Sequence, residues 1–179
     1  MVESTPYEVL ESFEGVELRR YPSVVIAVVE GLTDDIAFRI LFRYISGENM
    51  VREDISMTVP VISTGDTYRR IAMTRPVISG PGSFAFVLPS LYSITTAPRP
   101  LDGRIRLVGV GPRHLAALRF SGRVREDLVR TITEQLMEVA GRRGWEVKGE
   151  PLLMRYNGPG TPGFLRRNEV AVEVDPGKK

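Results

Sequence analysis

The chain has 179 residues, a net charge of +2, one histidine and no cysteine. Without cysteine it can form neither disulfides nor thiolate metal sites, and a single histidine excludes a multi-histidine metal site. The small net charge argues against a nucleic-acid-binding protein that must neutralise many phosphates. We find no secretory signal pattern and no apolar run of 18 residues. We therefore expect a cytoplasmic, soluble protein without membrane insertion.

The first elements predicted along the chain are three strands and a helix. The strands are Tyr7–Ser12, Val16–Tyr21 and Val24–Glu30, and the last of these is a β-branched run typical of a buried strand. Thr33 or Asp34 can cap a helix that runs to about Ser46, where Gly47 provides a stop.

Two nearly identical segments follow this helix. Ile55–Ser63 reads ISMTVPVIS and Ile71–Ser79 reads IAMTRPVIS, so seven of nine positions agree. Both segments have strand character, and their prolines favour an edge, a bulge or a strand end. We interpret the pair as neighbouring strands of a barrel wall, which makes the repeat architectural rather than catalytic.

The second half contains more strands and one more helix. The helix begins near Val124 and ends by Gly144, with apolar residues at helical spacing. The predicted strands are Phe84–Leu88, Ile105–Val110, His114–Phe120, Trp145–Lys148, Pro151–Tyr156 and Glu169–Val174.

A longer internal similarity suggests how these elements assemble. The segment YPSVVIAVVEG leads into the first helix, and GPRHLAALRFSG leads into the second. Each half then reads strand, helix, strand, strand. This order predicts an α+β fold, a distorted antiparallel β-barrel made of two pseudo-repeated halves with two helices packed outside. We expect a single domain, residues 1–179, with halves at about 7–80 and 84–174.

The first helix carries more apolar surface than a helix on a sheet requires. At about 100° per residue, one side is formed by Ala37, Ile40, Leu41, Tyr44 and Ile45. Phe38 and Phe42 widen the apolar arc to about two-thirds of the circumference, whereas a stripe just over 100° wide is sufficient for packing. Either the two phenylalanines are free for binding, or the Gly/Pro-rich loop at 157–164 covers them as ordinary core.

Charged residues lie beside these rings. Arg39 and Arg43 share a face because they are four residues apart. An aromatic surface next to guanidinium groups suits a flat, apolar ligand that carries carboxylates. Elsewhere, Glu169 follows Arg166 and Arg167, which indicates a structural ion pair, with a functional carboxylate as the alternative.

Several segments together resemble the SOUL haem-binding protein family. They are YEVLESFEGVELRRYPSVVIAVVEG, LFRYISGEN, ISMTVPV, IAMTRPV, VLPS, RFSG and FLRRNEVAVEV, spread from about Tyr7 to Val174. The resemblance implies a barrel of two similar halves, like the effector-binding domains of some bacterial transcription regulators. It also implies binding of haem or a related tetrapyrrole, without catalysis.

The resemblance also implies where the ligand binds. By position it identifies Phe38, Phe42 and Arg43 on the first helix and Phe164 in the late loop, and we add Arg39 from its spacing. Some members have a basic residue near the helix start, where this chain has Asp35.

Four side chains are candidates for an iron ligand. His114 is the single histidine and hence a possible iron ligand; the alternative is a partly exposed histidine at a strand end. Met57, Met73 and Tyr44 are further candidates. Haem held only by its faces and its propionates is another possibility.

Two other functions are compatible with the same residues. The protein could bind a different planar, apolar or amphipathic small molecule. It could also be a protein-interaction scaffold, with a partner that the sequence does not identify.

Overall fold

The computed structural model of the protein describes residues 3–50, 74–75, 77–158 and 160–178. The first copy of the repeated motif, Ile55–Ser63, lies outside these residues, as do Met57 and Met73. The pairing of the two copies as neighbouring strands therefore stays a prediction. The second copy is described in part and contributes two short strands, Thr74–Arg75 and Val77–Gly80.

Strands and helices alternate along the chain much as predicted. The strands of the first half are β1 Glu3–Ser4, β2 Glu8–Phe13, β3 Val16–Tyr21, β4 Val24–Glu30, β5 Asn49–Met50, β6 Thr74–Arg75, β7 Val77–Gly80 and β8 Ser83–Val87. Those of the second half are β9 Arg99–Pro100, β10 Arg106–Val110, β11 Arg113–Ser121, β12 Glu146–Val147, β13 Leu152–Arg155 and β14 Arg167–Asp175. The helices are α1 Asp34–Ile45, α2 Glu126–Arg143 and a 3₁₀ turn at Gly163–Leu165.

One large antiparallel sheet organises the fold. Its strand order is β10-β4-β8-β7-β13-β14-β11-β3-β2, and β12 pairs with the end of β14. The sheet curls through half a barrel, and the two helices pack on its outer surface. The predicted α+β class with two external helices is thus confirmed. The division into two duplicated halves stays a prediction.

Helix α1 covers the part of the sheet formed by β4 and β8. Thr33 precedes the helix in an extended conformation, and its carbonyl accepts the N–H of Ala37. The predicted inner side is the buried side, made of Ala37, Ile40, Leu41, Tyr44 and Ile45. These residues pack with alternate residues of β4 and with Phe84 and Phe86 of β8.

Helix α2 covers β11 and β14 in the same manner. Leu136, Val139 and Ala140 are its buried residues. Gly144 ends the helix in the left-handed conformation, with φ at 71°, where a residue with a side chain would be strained. Among the described residues, no helix is both long enough and apolar enough to span a bilayer.

The inner, concave face of the sheet has its own core. Residues that alternate with those under the helices point to this face, as expected for strands buried on both sides. The core includes Tyr21, Ala85, Leu115, Met154 and Ala171. The N-terminal segment joins this face, where Thr5 is buried.

A groove on the first helix is the candidate binding site

Phe38 and Phe42 lie on the same side of α1 but have different environments. Phe38 is partly buried and packs against Phe84 and Phe86, with ring centroids 6.5 and 5.4 Å away. Phe42 remains 46% exposed. The two rings stack on each other at 6.0 Å with an interplanar angle of 15°. Phe38 is therefore anchored in the core and holds Phe42 at the surface.

The stacked rings form the floor of an open groove of about 420 Å³. Its other walls include Ile36, Arg39, Arg43 and Arg104. A volume of this size lies within the usual range for small-molecule sites, about 300–1,000 Å³. The groove combines a flat apolar surface with three guanidinium groups.

The three arginines differ in how strongly they are already engaged. Arg39 makes no ion pair with any described residue. Arg43 lies 3.8 Å from Glu48 and 3.9 Å from Asp102, beyond hydrogen-bond distance of both carboxylates. Arg104 donates from Nε and Nη2 to the two oxygens of Asp102, at 2.9 and 2.6 Å. These bonds and the charge of Arg43 lower the pKa of Asp102 to about 2.

Other clefts on the surface carry arginines that are already paired. A cleft of about 330 Å³ between the helices contains Arg155, which pairs with Asp34 at 3.1 Å. A cleft of about 320 Å³ contains Arg20, which pairs with Glu8. The groove on α1 differs because its exposed ring lies beside Arg39, which has no ion-pair partner among the described residues.

A second concentration of charged and aromatic residues lies on the concave face of the sheet. We call Tyr7, Arg19, Tyr156, Arg167 and Glu169 the interior cluster. Both oxygens of Glu169 accept from Arg19, at 2.7 and 2.9 Å, and Glu169 is fully buried. Tyr156 donates to Glu169 at 2.7 Å, and Arg167 does so at 2.7 Å. The Tyr7 ring covers the guanidinium group of Arg19 at 4.2 Å.

The electrostatics of the interior cluster favour a charged Glu169. Burial by itself raises the pKa of Glu169, but the hydrogen bonds and charge of Arg19, aided by Arg167 and Tyr156, bring the pKa below its usual value. Of the two arginines predicted as ion-pair partners of Glu169, Arg166 and Arg167, the structure confirms Arg167. Arg19 is the stronger partner and was missed by sequence reasoning.

Two spaces lie near the interior cluster in the described part of the chain: the cleft of about 320 Å³, which Tyr7 lines together with Arg20, and a much smaller cavity. The cavity on the concave face, lined in part by Thr5, Tyr21 and Arg113, has a volume of about 10 Å³. A space of this size holds about one water molecule. The polar groups of the interior cluster already bond to one another, whereas the Phe42 ring of the α1 groove is exposed, so the groove is the better candidate for a ligand site.

The sequence matches the family model described as SOUL heme-binding protein over residues 2–173. The chain belongs to the SOUL haem-binding family. This match covers nearly the whole chain and agrees with the resemblance seen in the individual motifs. No curated protein matches the sequence.

Similar solved structures support the fold of this SOUL-family protein. The C-terminal domain of EcmrR is 11% identical with a TM-score of 0.55, covering 94% of this chain and 98% of that domain. A hydrolase from Listeria innocua is 13% identical with a TM-score of 0.56, covering 93% and 94%. An uncharacterised conserved protein from the same organism is 11% identical with a TM-score of 0.55, covering 88% and 92%. At these identities the likeness shows the fold alone.

Within this SOUL-family fold, the predicted site residues fall into two groups. Phe38, Arg39, Phe42 and Arg43 lie together in the α1 groove. Phe164 is 78% exposed in the 3₁₀ turn, which contacts β11. No described residue of the loop at 157–164 lines the groove, and Phe42 remains exposed, so the described part of this loop does not cover it as the alternative interpretation required.

His114 lies apart from the groove. It is a half-buried residue of β11 and is paired in register with Arg20 of β3. In the sheet, β8, β7, β13 and β14 separate β11 from β4, which α1 covers. The hydroxyl of Tyr44 is also committed, because it donates to the Pro98 carbonyl at 2.8 Å. Among the described residues that line the groove, none is a histidine, methionine or tyrosine.

Sequence reasoning missed Asp102 and Arg104, although a local signal existed. The sequence Asp102-Gly103 is a common turn signal, and a turn can bring a polar pair to a helix end. The direction of that turn, towards Arg43, depends on tertiary packing that no local pattern indicates.

Proposed function

We propose that the protein binds haem or a related tetrapyrrole in the α1 groove, without catalysing a reaction. The observation that supports this best is the exposed Phe42 ring, stacked at 15° on an anchored Phe38, beside Arg39, which pairs with no carboxylate in the described part of the chain. Membership of the SOUL family agrees with the same ligand class.

The aromatic floor suits the macrocycle. A porphyrin is flat and apolar, and a fixed ring provides an offset-stacking surface at little conformational cost. Phe38 is held by two rings of β8, so Phe42 does not have to be ordered from a free state when the ligand binds. Ile36, 45% exposed, extends the apolar surface.

The arginines suit the propionates. Arg39 and Arg43 are one helical turn apart and on the same face. Guanidinium groups bind carboxylates through paired hydrogen bonds, which also orients the ligand. Arg39 needs to break no existing ion pair with a described residue, so it is the first site for an acidic group.

The groove fits the organic part of haem better than its iron. Its described lining has no side chain that commonly coordinates haem iron. When bound, the iron supplies redox and ligand-exchange chemistry, but the residues of this groove hold the ring and its acids. We therefore expect similar affinities for haem and for metal-free protoporphyrin.

Titration with both ligands tests the proposal. We expect binding of haem, seen as a Soret shift, and of protoporphyrin, seen by fluorescence, with dissociation constants within about threefold of each other. Phe42→Ala should weaken both by about tenfold, because it removes a stacking surface worth roughly 1 kcal/mol or more. A matched control is Leu10→Ala, which removes a 40% exposed apolar side chain from β2 at the opposite edge of the sheet.

The outcomes separate the competing functions. Equal losses for Phe42→Ala and Leu10→Ala would place the ligand elsewhere. Absence of binding to either porphyrin would overturn this proposal. It would favour another amphipathic ligand or a scaffold role, which a stable protein complex in the absence of any small molecule would identify.

A further inference from the structure

Asp102 occupies a central position among the cations of the groove. It forms a two-bond fork with Arg104, and its carboxylate lies 3.9 Å from Arg43. Its side chain is only 18% exposed, so water does not fully screen these interactions. The backbone N–H of Arg104 also donates to Asp102 at 3.0 Å, which fixes the turn.

Because of these contacts, the three arginines differ in how readily they can pair with a ligand carboxylate. Arg39 is unpaired among the described residues. Arg43 lies near two carboxylates without hydrogen-bonding to either. Arg104 already makes two side-chain hydrogen bonds to Asp102. A ligand with a single acid is satisfied by Arg39. A second acid must attract Arg43 away from Asp102 and Glu48.

We propose that Asp102 is an internal competitor that limits acidic-ligand binding in the α1 groove and makes the second carboxylate of a diacid the determinant of affinity. This inference rests on the proposed function. It adds a specificity-determining residue that does not touch the ring surface itself. A ligand with two carboxylates spans Arg39 and Arg43, and its second acid takes the place of Asp102 beside Arg43.

Removal of the Asp102 charge tests this inference. Asp102→Asn keeps an oxygen that can accept the Arg104 N–H, so the turn is retained, while Arg43 and Arg104 lose their competing anion. We expect protoporphyrin, a diacid, to bind about three- to tenfold more tightly. The variant lacks an anion that lies about 4 Å from Arg43 and that would repel the ligand's second carboxylate. Its dimethyl ester, which has no acids, should bind the variant and the wild type equally.

A second variant at the same position tests whether the gain comes from the lost charge or from a change in the turn. Asp102→Ser also offers an oxygen to the backbone and removes the charge, so it should show the same gain for the diacid. Glu126→Gln, which removes one negative charge from an exposed position on α2, should leave both affinities unchanged. The gain should also shrink as salt is raised from about 50 to 500 mM, because the competition is electrostatic.

Failure of this inference is distinguishable from failure of the proposed function. If wild type binds protoporphyrin but Asp102→Asn shows no gain, or gains equally for the diester, Asp102 is not a competitor and the groove function stands. If neither wild type nor the Asp102 variants bind either porphyrin, the proposed function fails and this inference fails with it.

Discussion

The interior cluster and the α1 groove are built from the same kinds of residue but have opposite properties. Each brings arginines next to aromatic rings and carboxylates. In the interior cluster, Glu169 is fully buried and receives bonds from Arg19, Arg167 and Tyr156. In the groove, Phe42 is half exposed and Arg39 is unpaired among the described residues.

The difference indicates that the saturation of polar groups by hydrogen bonds, rather than residue composition, distinguishes the interior cluster from the proposed binding site. A buried guanidinium group that already makes its hydrogen bonds has nothing left for a ligand, and removal of its partner leaves an uncompensated charge. An exposed, unpaired guanidinium group loses little water when a carboxylate arrives. The predictions below test each side of this comparison.

The largest effect is expected from Glu169→Gln. The change leaves the buried Arg19 without its anion and brings an amide N–H against its donors. We expect the free energy of unfolding in urea to fall by about 3–5 kcal/mol, the usual result of breaking a buried ion pair. Protein that remains folded should keep its porphyrin affinity.

Glu8→Gln provides the comparison for that measurement. Glu8 pairs with Arg20 on the surface, where both side chains are more than half exposed. An exposed pair of this kind contributes less than about 1 kcal/mol. If both variants lose the same small amount of stability, the buried ion pairs of the interior cluster do not stabilise the fold more than a surface pair does.

Within the groove, Phe38→Ala should separate stability from binding. Phe38 packs on Phe84 and Phe86, so its removal creates a partial cavity under α1. We expect a loss of about 2 kcal/mol in the free energy of unfolding, less than for a fully buried phenylalanine. Phe42→Ala should cost less than about 1 kcal/mol, since that ring is half exposed. Equal stability losses for the two variants would contradict the assignment of Phe38 to the core and of Phe42 to the surface.

The loss of folding stability at acid pH should depend on the interior cluster, and the free energy of unfolding measured against pH tests this. The pKa of Glu169 is lowered in the folded protein, so its contribution is complete above the unfolded-state pKa, near 4.5, and is lost as pH falls through the folded value. Asp102, whose pKa is lowered to about 2, contributes a further loss of stability as pH falls to that value. Each such proton accounts for at most about 1.4 kcal/mol per pH unit. Glu169→Gln should therefore flatten the profile below pH 4.5, and an unchanged slope would show that Glu169 titrates normally.

Local patterns predicted the elements that local forces determine. The β-branched run at Val24–Glu30 lies between turn signals, so the strand bounds agree with the structure. The inner side of α1 was predictable because five apolar residues recur at the helical period. Strand burial on both faces follows from the same alternation, once two external helices are assumed.

Long-range pairings were not predictable from local patterns. Arg19 and Glu169 are 150 residues apart, and their contact depends on β3 and β14 both pairing with β11. The different roles of Phe38 and Phe42 depend on where the rings of β8 lie. The Asp102 turn lies beside α1 because β10, which follows it, pairs with β4. In each case, tertiary packing decided which side chains became buried or paired.

The smallest effect is expected from His114→Ala. His114 lies on β11 in the half of the sheet covered by α2, whereas the groove lies on the helix that covers β4 and β8. We expect the Soret maximum and the haem affinity of the variant to equal those of wild type, because the site proposed in the groove contacts the ring and its acids without this imidazole. A loss of Soret intensity at equal protein stability would make His114 an iron ligand. It would also move the haem site from α1 to the region of β11, reversing the roles assigned to the two parts of the molecule.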